Sequence, residues 1–436
     1  MLEKLRTHLE QHFPFLHGEK IGVAISGGLD SVVLAHVLHA LGYDLSLAHC
    51  NFQLRGEASA ADEAFVIDLG KTTRIPTETI RFDTEKIAAK EKQSIQVAAR
   101  NLRYAWFEAL REKEQYTYIA TAHHADDNLE TFLINLSRGT GLDGLIGIPA
   151  VNKSVVRPLL PFSREEILAY ATKHQLSWRE DESNAETKYL RNAFRHKVLP
   201  VLKEINPQIL HAFSKTSKHL QESQQLITDH ITVVKSTILQ TDTDGTIRLD
   251  IAALLRASNP KAYAYQLLKE YGFTEWNDIE NLLTAQAGKQ VFSKTHRLLK
   301  DRGVLLLTPI TTAVSKEQYP IALDATEISE PISLQFTPVS EENTGSKEII
   351  CVDKKLLKFP LHVRKWEKGD YFYPSGMQQK KKLSKFFKDE KMSLLEKEAT
   401  WVLCTATNDI IWLINKRQDN RFKVCKDTQE ILKITC

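Results

Sequence analysis

The sequence predicts a mixed α/β protein that begins with a doubly wound parallel sheet. Over about the first 200 residues, apolar strand-like runs alternate with helical patterns. Such alternation is typical of a parallel sheet with helices on both faces, and right-handed crossovers make it doubly wound. The later sequence changes to a long helical pattern and then to short strands with a basic helix. The predicted fold class is therefore a doubly wound α/β domain, a helical middle domain and a small basic α+β C-terminal domain.

The elements of the first domain follow one another in a regular order. Ser26 ends the first predicted strand, and ligands of open parallel sheets bind beyond the carboxyl ends of the strands. The loop after Ser26 is therefore the first candidate for a binding site. Strands are predicted at 20–26, 44–50, 77–82, 117–122 and 155–160, and helices near 30–42, 58–73, 95–114, 126–137 and 164–174.

The rest of the chain is divided by changes in pattern. A long helical stretch opens the second domain, and "KQVFSKTHRLLKDRGVLLL" predicts a hairpin that turns at Asp301, Arg302 and Gly303. A segment rich in Thr, Ser, Glu and Pro then predicts a linker with some strand content. The predicted domains are 1–206, 207–315 and 346–436, with the linker at 316–345 and one basic helix near 383–399.

Composition excludes several classes of protein. The 436 residues are 42% hydrophobic and 26% charged, as in ordinary globular proteins. The N-terminus lacks the apolar core of a signal peptide, and no run of eighteen apolar residues predicts a membrane span. The five cysteines are scattered without a CxxC pair, which argues against a disulfide framework or a zinc site. We therefore expect a cytoplasmic protein.

Positive charge is concentrated at the C-terminal end. Residues 351–436 carry 19 Lys and Arg against 11 Asp and Glu, a net charge of +8, while the whole chain carries +3. The first 350 residues are therefore mildly acidic, at −5. A basic segment on an acidic body suggests a polyanionic partner, although solubility alone would explain the charge equally well.

The stretch "SGGLDS" joins the first predicted strand to a helix. Backbone N–H groups at a helix N-terminus bind anions, because they have no partner within the helix and the helix dipole favours negative charge. Gly27 and Gly28 let the backbone approach a phosphate closely, and the Ser26 and Ser31 hydroxyls add donors. Asp30 would repel a phosphate, so an acid here predicts a bridging Mg²⁺.

This loop is neither a GxxxxGK[ST] P-loop nor a GxGxxG fingerprint. It resembles the PP-loop of the N-type ATP pyrophosphatases, whose pattern is SGGxDS, although a turn of small residues remains the alternative. The resemblance implies that the loop binds the pyrophosphate end of ATP and that cleavage falls between the α and β phosphates, which suggests why no loop lysine is needed. The implied ATP-binding residues are Ser26, Gly27, Gly28, Leu29, Asp30 and Ser31.

Four further stretches narrow the resemblance. After the loop come "AHCNFQLRGEASAADEAFV" at 48–66, "VAARNLRYAWF" at 97–107, "TAHHADDNLETFLINLSRGTGLDGLIGIP" at 121–149 and "DESNAETKYLRNAFRHKVLP" at 181–200. Together they resemble the tRNA(Ile)-lysidine synthase family, in which SGGxDS is followed by LRG, AR..RY, a histidine with DD and ET, RGTG and RN..R. All these motifs appear here in that order.

The acids of "HHADDNLET" begin a helix after the fourth predicted strand. Asp126 fits a plain helix cap as well as a site residue, because acids favour the first turn of helices. Asp127 could complete a Mg²⁺ site with Asp30, and Glu130 lies about one turn further on. By motif register His124 is the family's histidine, and its neighbour His123 is expected to pack in the core.

Five of the arginines within these motifs are candidate site residues. Arg191 and Arg195 are four residues apart on one helical face, where like charges repel, so a nearby anion would explain them. Arg100 and Arg103 are similarly close, and Arg138 lies in a glycine-rich loop beside the expected cleft. Solvated faces or local salt bridges are the alternative for each pair.

The C-terminal sequence extends the resemblance. The segments 288–307 and 363–404 resemble the end of the family's middle domain and its C-terminal domain. A cluster of lysines in the second segment suits phosphate contacts with RNA. Phe386 and Phe387, beside these lysines, are expected to pack in the core rather than to serve as apolar anchors for RNA. The predicted tRNA-binding residues are Lys380, Lys381, Lys382 and Lys385.

The resemblance implies a ligase that uses ATP and Mg²⁺. ATP would adenylate C2 of the wobble cytidine in a tRNA(Ile) with a CAU anticodon, and free L-lysine would displace AMP to give lysidine. The predicted catalytic residues are Asp30, Asp127, Arg191 and Arg195, with the metal on the two aspartates. Acids near Asp126 or Glu130 are expected to bind the lysine.

Three other functions stay open at this stage. A PP-loop tRNA thiolase would need a catalytic cysteine, and only Cys50 lies near a strand end of the first domain. A glutamine-fed amidotransferase would need a glutaminase domain, which is not visible, and a non-catalytic tRNA-binding protein would not need the intact loop and acids. The sequence leaves the oligomeric state open, with a homodimer as one prediction.

Overall fold

The computed structural model describes residues 1–180, 190–310, 318–342 and 346–436. Part of the motif at 181–200 and part of the predicted linker therefore lie outside the described residues. The chain forms two compact units, Met1–Asp229 and His230–Cys436. The predicted domain bounds divide the chain more finely and remain a prediction.

The first unit is built on one six-stranded sheet. Its order is β3-β2-β1-β4-β6-β5, and every neighbouring pair is parallel except β5 and β6. The strand order reverses between β1 and β4, so the carboxyl ends of these two strands border a crevice. This topology confirms the predicted doubly wound fold. The strands are β1 Lys20–Ala24, β2 Asp44–Asn51, β3 Thr77–Arg81, β4 Tyr118–Ala120, β5 Val151–Asn152 and β6 Val155–Val156.

Eleven helices belong to the described part of this unit or begin in it. They are α1 Leu2–His12, α2 Leu29–Ala40, α3 Glu57–Thr73, α4 Thr84–Glu91, α5 Ile95–Glu114, α6 Ala125–Ser137, α7 Leu142–Leu145, α8 Arg164–Lys173, α9 Leu190–Ala193, α10 Leu199–Ile205 and α11 Ile209–Ile238. A π-helical turn, Phe194–Val198, joins α9 to α10. Among the described helices none is long and apolar enough to span a membrane.

The core of the first unit explains why its elements could be predicted. β1 buries Ile21 and Val23, and α2 buries an almost continuous apolar face that includes Val33 and Leu34. Burial on both sides gives an apolar run without alternation, which is the pattern of a central parallel strand. The five predicted strands and five predicted helices are present within a few residues of their expected bounds. α4 and the two-residue, exposed β5 were not predicted.

The second unit begins with an antiparallel sheet. Its order is β7-β8-β11-β10-β9, and the predicted hairpin is confirmed because Asp301 pairs with Val304 across its turn. The region predicted as helical therefore also contains five strands, most of them too short for a clear alternating pattern. The elements are β7 Leu239–Thr241, β8 Ile247–Asp250, α12 Ile251–Leu255, α13 Pro260–Leu268, α14 Trp276–Thr284, β9 Gln290–Phe292, β10 His296–Asp301 and β11 Val304–Pro309.

The C-terminal part of this unit is mostly strand. Its sheets have the orders β12-β16-β19-β20-β21, β13-β14-β22-β15 and β17-β18. Three of these strands lie within the predicted linker, which was expected to have some strand content. The strands are β12 Tyr319–Ile321, β13 Glu327–Ile328, β14 Leu334–Val339, β15 Ile349–Asp353, β16 Leu361–Lys365, β17 Tyr371–Phe372, β18 Lys381–Lys382, β19 Trp401–Cys404, β20 Ile410–Leu413, β21 Arg417–Gln418 and β22 Ile431–Thr435.

One predicted element of the C-terminal part is wrong. The basic helix expected near 383–399 is two helices, α15 Leu383–Asp389 and α16 Leu394–Ala399. Lys391 has a φ of +53°, which no α-helix accommodates, and Ser393 caps α16 through a reciprocal pair of hydrogen bonds with Glu396. The periodicity of the sequence continued across the break, so only the capping signal "SLLE" marked it.

Gly22 in the middle of β1 gives a test of this packing. A Cβ atom there would lie 2.6 Å from Cδ1 of Ile119 and 2.9 Å from Cδ2 of Tyr116. Gly22→Ala should therefore destabilise the sheet by about 1–3 kcal/mol through overpacking. Hydrogen–deuterium exchange of peptides covering β1 and β4 should become roughly tenfold faster or more.

Gly303 provides the matched control, because a Cβ there meets nothing within 4 Å. Gly303→Ala should leave the exchange of its own hairpin, β10 and β11, unchanged. Wild-type exchange of β1 in Gly22→Ala would contradict the described packing.

Candidate active site

The glycine loop lies at the switch point of the sheet, between β1 and α2. Gly27 has a φ of +88°, a conformation that favours glycine, and a Cβ there would lie 3.3 Å from Cδ1 of Phe65. The Ser31 hydroxyl donates to the Gly28 carbonyl at 2.9 Å and accepts from the Ser26 amide at 3.2 Å. The loop thus curls around the N-terminus of α2, where the first amides have no partner within the helix.

Residues that the sequence did not single out hold this loop in place. The Arg179 amide donates to the Gly27 carbonyl at 2.9 Å, and its Nε lies 2.5 Å from Oδ1 of Asp62. Arg55, from the LRG motif, contacts the other oxygen of Asp62 at 2.7 Å. Behind the loop, Nδ1 of the buried His49 lies 2.9 Å from the carbonyl oxygen of Ile25. Of these supporting residues, the sequence motifs pointed only to Arg55, through the LRG motif.

His124 joins the loop after β4 to the loop after β1. It is buried, and its Nε2 lies 3.4 Å from Oδ2 of Asp127 and 3.7 Å from Oδ2 of Asp30. Its Nδ1 lies 3.5 Å from Oδ2 of Asp126. Burial opposes protonation, but the three carboxylates outweigh it and raise the pKa of His124. The sequence-predicted His124, Asp30, Asp126 and Asp127 are therefore brought together.

The neighbouring His123 has a different environment. Its Nδ1 lies 3.0 Å from the Thr121 hydroxyl, and burial lowers the pKa of His123 to about 4, so it is neutral at physiological pH. The pKa values of the two successive histidines are therefore shifted in opposite directions, and their contacts differ as well. Asp127 is close enough to His123 to oppose this lowering, so His123 borders the same cluster rather than lying apart from it.

Glu130 is the most buried acid of the cluster, with none of its surface exposed. Arg195 holds it with two hydrogen bonds, Nε to Oε1 at 2.6 Å and Nη2 to Oε2 at 3.1 Å. Arg191 Nε donates to the same carboxylate at 3.1 Å, and Arg195 Nη2 also reaches Oδ1 of Asp127 at 2.8 Å. Burial opposes ionisation of Asp127, yet His124 and the two arginines lower the pKa of Asp127. The like charges that the sequence placed on one helical face are thus compensated by two acids.

Asp126 is not the cap of its own helix. Its Oδ2 accepts from the Arg164 amide at 2.9 Å, and its Oδ1 accepts from Nζ of Lys203. The N-cap is His124, whose amide donates to Oδ2 of Asp127 at 3.1 Å. Burial of Asp126 is more than offset by His124 and Lys203, and the pKa of Asp126 is lowered. Arg164 and Lys203 were missed by sequence reasoning, because nothing in their local pattern distinguishes them from surface charges.

Asp30 has the chemistry of a cation ligand. Its Oδ2 lies 3.4 Å from Nη1 of Arg164, while its Oδ1 is buried without a hydrogen-bond partner in the described structure. Burial raises the pKa of Asp30, with His124 and Arg164 opposing. Mg²⁺ uses one or two carboxylates plus phosphates rather than an all-protein cage. Within the described ranges no group of three or more His, Cys, Asp or Glu forms such a cage.

The remaining predicted arginines lie further out. Arg100 packs over Tyr104 and Arg103 over Phe52, at 4.9 and 5.2 Å from the ring centroids, and both are exposed on α5. Arg100 is still close enough to contribute to the lowered pKa of His123. Arg138 ends α6 and is separated from His124 by the whole helix, about 20 Å at 1.5 Å per residue. The structure therefore does not bring Arg138 to the cluster.

A cavity of about 330 Å³ opens beside the cluster. Its lining combines acids and bases, which would suit a zwitterion. The lining residues are Asp126, Glu130, Arg164, Glu165, Arg195, His196, Leu199, Pro200 and Lys203.

Cys50 lies at the end of β2 and is poorly suited to nucleophilic chemistry. Burial raises the pKa of the Cys50 thiol to about 12, with Arg103 opposing only weakly. At neutral pH it is therefore a thiol rather than the reactive thiolate.

The predicted RNA-binding lysines of the second unit have mixed surroundings. Lys380 lies over Tyr371, and Lys381 lies over Phe386 and pairs with Asp389 at 2.8 Å. Lys382 and Lys385 are exposed. Phe386 and Phe387 are buried in a core cluster, so they do not form an exposed apolar anchor.

Comparison with known proteins adds independent information. The family model described as PP-loop domain matches residues 1–202, and that described as TilS substrate binding domain matches residues 242–310. A tRNA(Ile)-lysidine synthase of Parabacteroides distasonis is 41% identical over 99% of each chain. That of Bacteroides thetaiotaomicron is 40% identical over 99% of this chain and 98% of its own. That of Bacillus subtilis is 30% identical over 94% of this chain and 93% of its own.

The pairing of Arg195 with Glu130 predicts a stability effect that does not depend on any reaction. Arg195→Met leaves the buried carboxylate with Arg191 alone, so the free energy of unfolding should fall by about 2–3 kcal/mol. Glu130→Met in the same chain should recover part of this loss, because no buried charge is then left unpaired. Hydrogen exchange of α6 measures both effects, and additive losses in the double variant would contradict the described contact.

Proposed function

The chain belongs to the tRNA(Ile)-lysidine synthase family, and we propose that it joins free L-lysine to C2 of the wobble cytidine of a tRNA(Ile) with a CAU anticodon. ATP is consumed, AMP and pyrophosphate are released, and the modified tRNA changes from Met to Ile in both codon and amino-acid specificity. The observation that carries the proposal is the position of the SGGLDS loop. It lies at the switch point of the sheet and touches the acid and arginine cluster through Asp30 and His124.

The reaction consists of two displacements. First, the C2 carbonyl oxygen of the cytidine attacks the α-phosphorus of ATP, and the bond to the β-phosphate oxygen breaks. Then an amino group of lysine, after losing a proton, forms a bond to C2, and AMP departs with the former carbonyl oxygen. The base must be splayed out of the anticodon loop for its C2 to be reached.

The chain's own groups meet the demands of the first step. The amides at the start of α2 and the hydroxyls of Ser26 and Ser31 would hold the pyrophosphate end of ATP, where negative charge accumulates. Arg191 and Arg195 bring positive charge to the same edge of the sheet. Their ion pairs with two acids hold both guanidinium groups in place. Charge held in place before the reaction stabilises a transition state without reorganisation.

Mg²⁺ fits this site on the chemistry of Asp30. The unpaired, buried Oδ1 of Asp30 and the carboxylate of Asp127 would hold it. The ion would neutralise charge on the leaving pyrophosphate.

We place the lysine substrate in the 330 Å³ cavity. Asp126, Glu130 and Glu165 offer acceptors for ammonium groups, while Arg164 and Lys203 offer donors for a carboxylate. Glu165 is the most exposed of the three acids, with 66% of its side chain accessible, and it pairs with Lys203 at 2.6 Å. The amine must be deprotonated before attack, and the acids of this lining are the proposed acceptors of its proton.

The setting of the reaction completes the proposal. All five cysteines are free, as a reducing cytoplasm requires, and the tRNA would contact the basic C-terminal segment with Lys380, Lys381, Lys382 and Lys385. A homodimer remains a prediction that light scattering can test.

The direct test uses unmodified tRNA, ATP and isotopically labelled lysine. Mass analysis of the nucleosides should show a cytidine that has gained lysine with the loss of water, with one AMP and one pyrophosphate formed for each. Binding of tRNA without AMP formation would instead support a non-catalytic tRNA-binding protein. The same assay with a tRNA whose wobble base is not cytidine is the control and should give no product.

Asp30 tests the assignment of the metal-holding acid. Asp30→Asn should lower the rate of tRNA- and lysine-dependent pyrophosphate release by about 10²–10³-fold, because it weakens the proposed hold on the Mg²⁺ that would neutralise the leaving pyrophosphate. Asp68→Asn, an exposed acid on α3, is the control and should match wild type. Full activity of Asp30→Asn would show that this role is misassigned.

Cys50 separates the proposed ligase from a tRNA thiolase. Because the pKa of Cys50 is raised to about 12, its alkylation by iodoacetamide should stay slow at pH 8 and accelerate only as pH rises toward 12. Cys50→Ser should form lysidine at the wild-type rate. The thiolase would be favoured if Cys50→Ser formed no lysidine and the wild-type protein incorporated sulfur into the tRNA.

A further inference from the structure

A second cavity, of about 340 Å³, lies within the second unit. It is formed where the turn of the β10–β11 hairpin meets α15 and α16. Five cationic residues line it, and Asp301 is the only acid among the lining residues in the described part of the chain. The cations are Lys300, Arg302, Lys388, Lys391 and Lys397.

The walls of this cavity are fixed to each other. Arg297 on β10 holds Glu398 at the end of α16 with two hydrogen bonds, at 3.0 and 2.9 Å. At the opposite side, Nη2 of Arg302 donates to the carbonyl oxygen of Lys391. Two turns that are distant in the sequence are thus joined, and both have a residue at positive φ, +52° for Arg302 and +53° for Lys391. The cavity is therefore part of the fold rather than a gap between loose surface loops.

The charge of the lining is not balanced by the protein. In the portions of the chain that are described, no carboxylate lies within 4 Å of any of the five cationic groups. Lys300 is only 7% exposed, and its Nζ donates to the Leu283 carbonyl at 2.8 Å, which uses one of three N–H donors. Buried lysines are rare unless paired, so this arrangement calls for an anion. Burial also lowers the pKa of Lys300, and a bound anion would reverse that effect.

The surrounding surface indicates which anion. Lys385 and Lys388 are three residues apart on α15, so they lie on the same side of that helix. The cavity thus continues into the lysines predicted to contact tRNA, within a segment of net charge +8. An isolated small anion would not need cations extending beyond the cavity, whereas a nucleic acid backbone presents phosphates at regular intervals.

We propose that this cavity binds a backbone phosphate of the tRNA substrate. The proposal rests on the proposed function, because it assumes that the polyanion brought to the second unit is tRNA. Lys300 and Arg302 contact the phosphate from the hairpin side, and Lys388, Lys391 and Lys397 contact it from the helical side. The contact fixes the position of the tRNA and carries no base specificity.

The test is the salt dependence of tRNA binding by the full chain. In the variant Lys388→Gln/Lys391→Gln/Lys397→Gln, the slope of log K against log salt should become shallower by about one, because the contact with one phosphate is lost. The matched control is Lys368→Gln/Lys423→Gln/Lys426→Gln, which removes the same charge from exposed sites outside the lining. The slope of this control should match that of wild type.

Three results would overturn the proposal. One is a wild-type slope in the cavity variant, and another is an equal loss of slope in the control. The third is a cavity variant that keeps the tRNA slope but loses thermal stabilisation by inorganic phosphate, which would indicate a site for a small free anion. Lysidine formation by the wild type at saturating tRNA is measured in parallel. Its absence would contradict the proposed function while leaving the slope difference interpretable.

Discussion

The arrangement of the candidate active site depends on the need to pair the buried carboxylate of Glu130. Removing a carboxylate from water costs several kcal/mol unless charged partners and hydrogen bonds replace the water. Here Arg195 supplies two such bonds and Arg191 a third. Because α6 carries Glu130 and the helical turns after residue 190 carry the arginines, this pairing ties the segment after β4 to a segment more than 60 residues later.

The same pairing reaches the glycine loop through a short chain of contacts. Arg195 also binds Asp127, Asp127 lies against His124, and His124 lies against Asp30 at the start of α2. Around His124 the four acids of the cluster are matched by Arg164, Arg191, Arg195 and Lys203. A nearly neutral cluster can be stable without ligand and still offer both signs of charge to a substrate. ATP, a metal ion and a zwitterionic amino acid together require that combination.

The second unit solves a different electrostatic problem. Asp301 is the one acid in the described lining of its cationic cavity, and the walls are held by Arg297 with Glu398 and by Arg302 with a backbone carbonyl. The first unit compensates its charges within the protein, at the site proposed for small ligands. The second leaves them uncompensated, as a surface for a polyanion does.

The sequence by itself determined the doubly wound sheet, the glycine loop between its first strand and the following helix, and the identity of most acids and arginines in the cluster. These follow from contiguous patterns, namely apolar runs, a strand–glycine–helix junction and ordered motifs. Only the tertiary structure decided that Arg164, Arg179 and Lys203 support the site, that Arg138 lies far from it, and that Lys300 and Lys391 line one cavity. Such contacts join residues distant along the chain, and no local pattern encodes which of many similar surface charges will meet after folding.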